Sequence, residues 1–386
     1  MKKTSVLILG ADGTQTLPIA ESLYKHGIKV HGFFGKRLTY GYFSRYVAKR
    51  IIIKSLSGED YVNQIVDYVQ NNHIDVVIPM GDVVAELVCR YQEKLKRVVH
   101  VVTPDYSSFN EGYDKNKLMH ICEKCNIPHP RTIDLSSHSI DEVDSTIFPA
   151  LLKPNITTGA RGMSLIHSIE DLKGMYETVR KNYGECHLQE FITGGGKQIK
   201  AQLFVDKNGA LLCSSVMHKQ RYYPEKGGSS SCNTTIINDQ VVKNCLTILR
   251  AINWEGMADF DLIEDPKDGE YKIMEINPRV PACIKSAIKS GADYAELYVD
   301  YALGRPLKKY HSKPGYTLRF IGFEILWFLS SKNRFHSKPS WFKFWGRHVY
   351  YQDFSISDPL TFFLGSIENI LKFADPSFRK SKSGTR

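Results

Sequence analysis

Short apolar runs alternate with amphipathic stretches through the first hundred residues, and this alternation restricts the fold more than any other feature of the sequence. Five runs have the length and composition of buried strands: Val6–Leu9, Ile28–Phe33, Ile51–Ile53, Val76–Ile78 and Val98–Val102. Helical patterns lie between them, so neighbouring strands are expected to be joined by crossover helices and to pair in parallel. The sequence therefore predicts an α/β fold that begins with a doubly wound parallel sheet in residues 1–110.

The rest of the chain divides into two regions of different chemistry. Asp114 and Lys115 begin a predicted helix, and the chain from Phe148 to Gly304 is rich in strand patterns, so residues 111–304 are expected to form a domain of two subdomains. Residues 305–386 hold 15 Lys+Arg against 5 Asp+Glu, and this difference equals the net charge of the whole chain, +10. The basic character therefore belongs to the C-terminal region.

Several classes of protein are excluded by pattern and spacing. No apolar stretch approaches the roughly 20 residues that span a bilayer. The eight cysteines are scattered and the N-terminus has no signal-peptide pattern, which predicts a cytoplasmic location. Gly10 and Gly13 lack the G-x-G-x-x-G spacing of a redox dinucleotide site, and Cys122 and Cys125 lack the second pair of a structural zinc site.

A strand pair near the end of the second domain carries the clearest chemical pattern. Glu275, Asn277 and Arg279 are spaced two apart, so their side chains are expected on one face of a strand. A hairpin would bring Asp261 opposite them, with Asp259 as the alternative carboxylate. Two carboxylates and an amide oxygen on one face are hard ligands, and the pattern predicts a magnesium site that carries nucleotide phosphates.

Two segments upstream could hold the rest of a nucleotide. Lys153 ends a predicted strand and is followed by a glycine-containing loop at residues 157–163, a combination that offers a point charge and backbone N–H groups to a polyphosphate. The short apolar strand Leu188–Ile192 could line an adenine slot with its backbone polar groups.

Taken together, these motifs resemble the ATP-grasp superfamily over roughly residues 1–304, and in particular its amino-acid ligases similar to biotin carboxylase and the carbamoyl-phosphate synthetase large chain. The resemblance implies an ATP-grasp fold preceded by the parallel-sheet domain and followed by a basic, aromatic extension. It implies two magnesium ions, for which manganese can substitute, held by Asp261, Glu275 and Asn277. It implies that Arg279 and Lys153 act on the reacting phosphoryl group. The residues implied to contact ATP are Lys115, Lys153, Gly159, Gly162, Gln189, Glu190, Phe191, Ile192 and Gln198.

The resemblance implies an ATP-dependent carboxylate–amine ligase that forms an amide or peptide bond and releases ADP and phosphate. Carbamoyl-phosphate synthetase or biotin-carboxylase chemistry on bicarbonate, and a non-catalytic nucleotide-binding protein, are the alternatives. The segment Lys219–Ser231 resembles the substrate-side loop of such ligases, with a surface turn as the other interpretation. The expected partners are small carboxylate and amine substrates and a second copy in a homodimer, without nucleic acid.

The basic C-terminal region is also aromatic, with thirteen large rings within residues 316–354. Rings interleaved with cations are typical of a peripheral contact with an anionic membrane surface, here the inner face of the cytoplasmic membrane. The alternative is that the rings pack against the catalytic domains or a dimer partner.

Overall fold

The computed structural model describes residues 3–53, 58–157, 159, 161–192, 196–225 and 229–374, with side chains through residue 367. The strands are β1 (Ser5–Leu9), β2 (Lys29–Phe34), β3 (Val47–Ile52), β4 (Val76–Pro79), β5 (His100–Val101), β6 (Thr132–Asp134), β7 (Ala150–Pro154), β8 (Ser164–Ile166), β9 (Cys186–Glu190), β10 (Gln198–Val205), β11 (Leu211–Tyr223), β12 (Ser229–Ile236), β13 (Gly256–Glu264), β14 (Tyr271–Asn277), β15 (Thr317–Arg319) and β16 (Val349–Tyr351).

The helices are α1 (Thr16–Lys25), α2 (Gly58–Asn72), α3 (Asp82–Arg90), α4 (Gln92–Lys96), α5 (Tyr106–Tyr113), α6 (Lys115–Lys124), α7 (Ile169–Tyr183), α8 (Asp239–Ala251), α9 (Ile284–Ser290), α10 (Tyr294–Ala302), α11 (Ile321–Ser330) and α12 (Leu360–Ala374). Short 3₁₀ turns occur at Gly41–Phe43, Ile140–Glu142 and Ser145–Ile147.

The first sheet has the strand order β3-β2-β1-β4-β5, and each of its strand pairs is parallel. The residues of β1 and β4 are buried throughout, as expected for strands covered on both faces. The parallel sheet predicted from the alternation of strand and helix patterns is therefore confirmed.

The second sheet has the order β14-β13-β10-β11-β12-β15-β16 and is antiparallel as far as β15. Its last strands, β15 and β16, come from the C-terminal region and pair in parallel. The segment that resembled a substrate-side loop is largely strand, because β11 runs to Tyr223 and β12 begins at Ser229, while residues 226–228 lie outside the described residues. Lys219 therefore lies on a strand.

A third sheet, with the order β6-β9-β7-β8, is antiparallel and carries helix α7. Its core contains Leu152 and Leu188 from the strands and Leu172 and Tyr176 from the helix. Lys153 and the predicted adenine strand therefore belong to one small unit beside the second sheet.

Helices α9 and α10 return to cover the first sheet. Ile284, Leu297 and Tyr298 share a core with Val6 and Ile78 of the parallel strands. The hydroxyl of Tyr298 also donates to the carbonyl of Val77 at 3.1 Å. This packing joins the sheet of residues 5–101 to the chain that directly follows the candidate metal strand.

None of the helices within the described residues is long and apolar enough to cross a membrane. The most apolar of them, α11, has ten residues and contains the buried carboxylate Glu324.

Candidate active site

The predicted hairpin forms between β13 and β14 and aligns the proposed metal ligands. Asp261 lies directly opposite Glu275, and Asp259 lies opposite Asn277. The amide nitrogen of Asn277 donates to Asp261 Oδ2 at 3.1 Å. The three residues singled out as metal ligands are thus neighbours on one face of the sheet.

A β-bulge in β14 explains how this strand presents polar side chains on one face while its apolar side chains stay buried in the core. Asp261 opposes Glu275, whereas Leu262 opposes Ile273, so Met274 is the extra residue. Both Ile273 and Ile276 are buried in the core of the second sheet, although three positions separate them. The bulge therefore lets Glu275 face the site without moving Ile273 out of the core.

Two lysines hold the Asp261 carboxylate: Lys200, which the motif analysis did not include, and Lys219, which begins the segment that resembled a substrate-side loop. Lys200 of β10 lies opposite Asp261 in the sheet, and its ammonium is 2.8 Å from Asp261 Oδ2 and 2.7 Å from Asp259 Oδ2. Lys219 of β11 is 2.5 Å from Asp261 Oδ1. The side chains of all four residues are at most 17 % exposed, so the cluster is largely shielded from water.

The charges of this cluster depend on one another. Burial alone would lower the pKa of Lys200, but Asp259 and Asp261 outweigh it and raise that pKa. Burial would also raise the pKa of Asp261, yet Lys200 and Lys219 hold it below its usual range. For Asp259 burial dominates and raises the pKa. The two lysines therefore favour the ionised form of Asp261, whereas burial opposes the ionisation of Asp259.

The two predicted phosphate-binding lysines lie at the junction of α6 and β7. Asp114 caps α6 by accepting from the backbone N–H groups of the first turn, and Lys115 follows it. The Lys115 ammonium donates to the carbonyl of Thr157 at 2.9 Å and lies 3.8 Å from Glu275 Oε2. Lys153 donates to Gln189 Oε1 at 2.9 Å. Lys115 thus connects the start of the glycine loop to the proposed metal strand.

A buried histidine beside these lysines was not found by sequence reasoning. His187 lies opposite Lys153 in the sheet, and its Nδ1 is 2.8 Å from Asn155 Oδ1. Burial, together with Lys153 and Lys115, holds the pKa of His187 well below its ordinary value. In the sequence, the only local indication that His187 is buried was its position in the apolar strand that begins at Cys186.

The residues predicted to hold adenine lie at and after the end of β9, and the residue predicted to lie near the ribose begins β10. Glu190 and Phe191 line a cavity of about 150 Å³ at the end of β9, and their backbone N–H groups donate to the carbonyls of Arg131 and Pro149 at 2.8 and 3.1 Å. Ile192 follows directly in the chain. Gln198 lies at the start of β10, where its Oε1 accepts from Lys219 at 3.5 Å.

The glycine loop is described in part, because Thr158 and Ala160 lie outside the described residues. Gly159 and Gly162 have φ values of +68° and +69°, a region that favours glycine. A Cβ atom on Gly162 would lie 2.7 Å from the Tyr183 ring, so a side chain there would also clash.

Arg279 joins the site to the first sheet. Its Nη2 donates to Asn277 Oδ1 at 3.3 Å, and its Nε lies 3.1 Å from Asp82 Oδ1 at the start of α3. Burial would lower the pKa of Arg279, but Asp82, Asp259 and Asp261 raise it. The guanidinium is thus held over the end of the candidate metal strand by two elements far apart in sequence.

The three sheets and the ordered set of lysine, carboxylate, asparagine and arginine positions define an ATP-grasp protein. The family described as "Carbamoyl-phosphate synthase L chain, ATP binding domain" matches residues 114–310, and the chain belongs to this family.

Two curated relatives illustrate the range of the family. A D-aspartate ligase of Enterococcus faecium is 26 % identical over 227 residues, which are 53 % of this chain and 53 % of the relative. The C-terminal section of a carbamoyl phosphate synthase large chain of Methanopyrus kandleri is 23 % identical over 225 residues, 55 % of this chain and 41 % of the relative. The chain thus spans about half the length, or less, of these relatives.

Solved structures share the fold at low sequence identity. Biotin carboxylase of Campylobacter jejuni, described as an ATP complex, has a TM-score of 0.67 at 18 % identity and covers 81 % of this chain and 74 % of its own. N5-carboxyaminoimidazole synthetase of Staphylococcus aureus has a TM-score of 0.63 at 15 % identity, with coverages of 81 % and 82 %. The ATP-grasp fold expected from the motifs is confirmed.

Proposed function

We propose that this protein is an ATP-dependent carboxylate–amine ligase that forms an amide or peptide bond and releases ADP and phosphate. The observation that carries the proposal is the face of Asp261, Glu275 and Asn277, which meets the Lys115 ammonium on one side and Arg279 on the other. The similarity to a D-aspartate ligase supports an amino acid as one substrate.

The donor set fits a divalent cation. Asp261, Glu275 and Asn277 offer hard oxygens, and Glu275, which is 32 % exposed, has more room for a cation than Asp261, which already accepts from two lysines. Magnesium bound there would neutralise charge on the nucleotide phosphates. Two ions, and substitution by manganese, are part of the proposal, and a relative of similar fold is described as a complex with MgADP.

The chemistry divides into two displacements. An oxygen of the substrate carboxylate attacks the γ-phosphorus of ATP, the bond to the β-phosphate oxygen breaks, and ADP leaves. The amine then attacks the acyl carbon, and phosphate leaves with the former carboxylate oxygen. Lys115, Lys153 and Arg279 would orient the phosphates and offset their charge, which is the main demand that phosphoryl transfer makes on a protein.

Several finer features belong to the same proposal. Residues 1–110, 111–304 and 305–386 are proposed as the pre-ATP-grasp domain, the ATP-grasp domain and the basic aromatic extension. Gly159 and Gly162 would approach the phosphates, Gln189 to Ile192 would bind adenine, and Gln198 would lie near the ribose. We further propose a homodimer in the cytoplasm with peripheral contact to the inner membrane face.

The isotope content of the released phosphate tests the proposal. With an ¹⁸O-labelled carboxylate and an amine, one ¹⁸O should appear in phosphate and the spent nucleotide should be ADP. A panel of D- and L-amino acids, amino sugars and bicarbonate identifies the substrate. AMP with pyrophosphate, or no release with any pair from a folded sample, would contradict the proposal.

A matched pair of variants connects the reaction to the site. Glu275→Gln should abolish phosphate release, whereas Glu270→Gln, an exposed position on the same hairpin, should not affect it.

Bicarbonate phosphorylation is the second candidate, supported by the family match to carbamoyl-phosphate synthase. Phosphate release that depends on bicarbonate alone would favour it.

A further inference from the structure

The aromatic rings of the C-terminal region fall into an inner and an outer set. The inner set surrounds a buried ion network in which Glu324 of α11 binds Arg221 of β11 at 2.6 Å and Arg319 of β15 at 2.7 Å. The Arg221 guanidinium lies over Trp327, and that of Arg319 lies over the rings of Trp341, Phe344 and Tyr351. This network fixes the region to the second sheet.

The outer set forms an exposed apolar surface. Glu324 and Trp327 point inward from α11, so Ile325 and Leu329, which are four residues apart, share its outward face and are 49 % and 68 % exposed. Phe335 and Phe342 are also exposed, and the ring of Phe328 contacts both.

Three positions after Phe342 lies Trp345, which is 82 % exposed; its ring contacts Phe344 of the inner set, whose ring in turn contacts Phe342. We call this set the outer aromatic surface: Ile325, Phe328, Leu329, Phe335, Phe342 and Trp345.

The charges within the segment that carries this surface have one sign. The sequence from Ile325 to Gln352 contains no Asp or Glu and contains five cations, Lys332, Arg334, Lys338, Lys343 and Arg347. All except Arg334 are exposed, and Arg334 lies over the rings of Phe328 and Phe335 at 5.9 and 5.5 Å. Exposed rings interleaved in sequence with exposed cations, without a single acid in the segment, are complementary to a negatively charged apolar boundary.

We propose that the outer aromatic surface docks the protein on an anionic lipid bilayer, with Trp345 and Phe342 at the headgroup level and the lysines against lipid phosphates. Protein interfaces are depleted in lysine, whereas amphipathic membrane-binding surfaces combine aromatic rings with lysine and arginine. The inner network makes this surface a fixed face of the catalytic protein, so docking would hold the ligase close to the bilayer. This step specifies the membrane contact proposed above and does not depend on the ligase activity.

Vesicle co-sedimentation of the full chain, without nucleotide or substrate, tests the proposal. We expect binding to vesicles of phosphatidylcholine mixed with phosphatidylglycerol, weaker binding at physiological than at low salt, and little binding to phosphatidylcholine alone. Phe342→Ser combined with Trp345→Ser should weaken binding roughly tenfold, whereas Tyr24→Ser, an exposed ring elsewhere on the chain, should not.

Two double variants that remove lysines distinguish electrostatic attraction to anionic lipid from non-specific hydrophobic adsorption. Lys332→Gln with Lys343→Gln should reduce both the affinity and its salt dependence, and Lys181→Gln with Lys243→Gln should change neither. Failure of the folded wild-type chain to bind at either salt would overturn the proposal. If, in addition, the Phe342→Ser and Trp345→Ser double variant changed from dimer to monomer, the surface would be a contact between two copies of the chain and not a lipid-binding surface. Nucleotide turnover is not a readout here, so the ligase proposal is judged separately.

Discussion

Replacing Lys200 by methionine tests how the carboxylate cluster is held. Lys200 bridges Asp259 and Asp261, and the side chain of Asp259 is fully buried with no partner for its Oδ1 among the described residues. Lys200→Met would leave Asp259 without its ammonium partner, whereas Asp261 would keep Lys219. Removing one member of a buried ion pair typically costs about 3–5 kcal/mol, and we expect a loss of that size.

The measurement is urea-dependent amide hydrogen exchange of β10, β13 and β14, which reports the local free energy of unfolding even where the chain unfolds in several steps. Lys197→Met is the matched control, because Lys197 is 58 % exposed and its ion pair with Glu264 should contribute at most about 1 kcal/mol. Equal protection factors in the Lys200 variant and the control would refute the reasoning.

A second substitution separates the loss of the pair from the loss of packing. Asp259→Asn in the Lys200→Met background removes the unpaired carboxylate and supplies an amide donor. Gln202, which lies opposite Asp259, has an Oε1 that lacks a donor within the described part of the chain. The double variant should recover most of the lost free energy. If it is no more stable than Lys200→Met, packing of the lysine stem and not its charge explains the loss.

The remaining predictions concern the site and the C-terminal region. Glu275→Gln and Asn277→Ala should each reduce ATP turnover by roughly 10²-fold or more while the circular dichroism spectrum is unchanged, because each removes an oxygen ligand or its charge. Lys153→Ala should raise the Kd of the nucleotide about tenfold in calorimetry, since a point charge on the phosphates is lost; an unchanged Kd would remove Lys153 from the site. Glu324→Gln should lower the free energy of unfolding by about 3 kcal/mol, because two buried arginines lose their common anion, and a stable variant would show that the network is dispensable. Burial raises the pKa of Asp353 to about 6, so its folded form binds a proton more readily than its unfolded form, and its contribution is full below pH 4 and is lost as the pH rises through 6. Asp353→Asn should therefore stabilise the protein above pH 6 by about 2 kcal/mol relative to its effect at pH 4, as measured by unfolding at both pH values.

Local periodicity was sufficient to predict the first sheet and the hairpin of the site. Strand patterns such as Val6–Leu9 and Val76–Ile78 were recognisable because both faces of a covered parallel strand are apolar. The hairpin followed from its turn and from the two-residue spacing of Glu275 and Asn277. The bulge at Met274 could not be predicted, since it depends on how the core of the second sheet accepts Ile273 and Ile276 together.

Lys200 was missed for a physical reason. Lys200 is about sixty positions from both carboxylates that it bridges, so no local spacing indicates the contact. Its strand, Gln198–Val205, does carry a signal: a lysine and a glutamine alternate with Ile199, Ala201 and Leu203, all fully buried. A charged residue on a strand with so buried a neighbourhood needs a buried partner of opposite charge. The hairpin that carries the acidic residues could have been considered as the origin of that partner.

The aromatic C-terminal region shows why composition alone left two interpretations open. Trp341 and Phe344 pack inward against Arg319, whereas Phe342 and Trp345, one position further along the chain in each case, are exposed. Inner and outer rings are therefore interleaved within five residues. The buried carboxylate of Glu324 separates the inner rings from the outer rings. It binds Arg319, around which the inner rings pack against the second sheet, and the rings that cannot reach this network stay exposed. Packing onto the second sheet and presentation of an apolar face are thus two results of one arrangement, and the second requires the first.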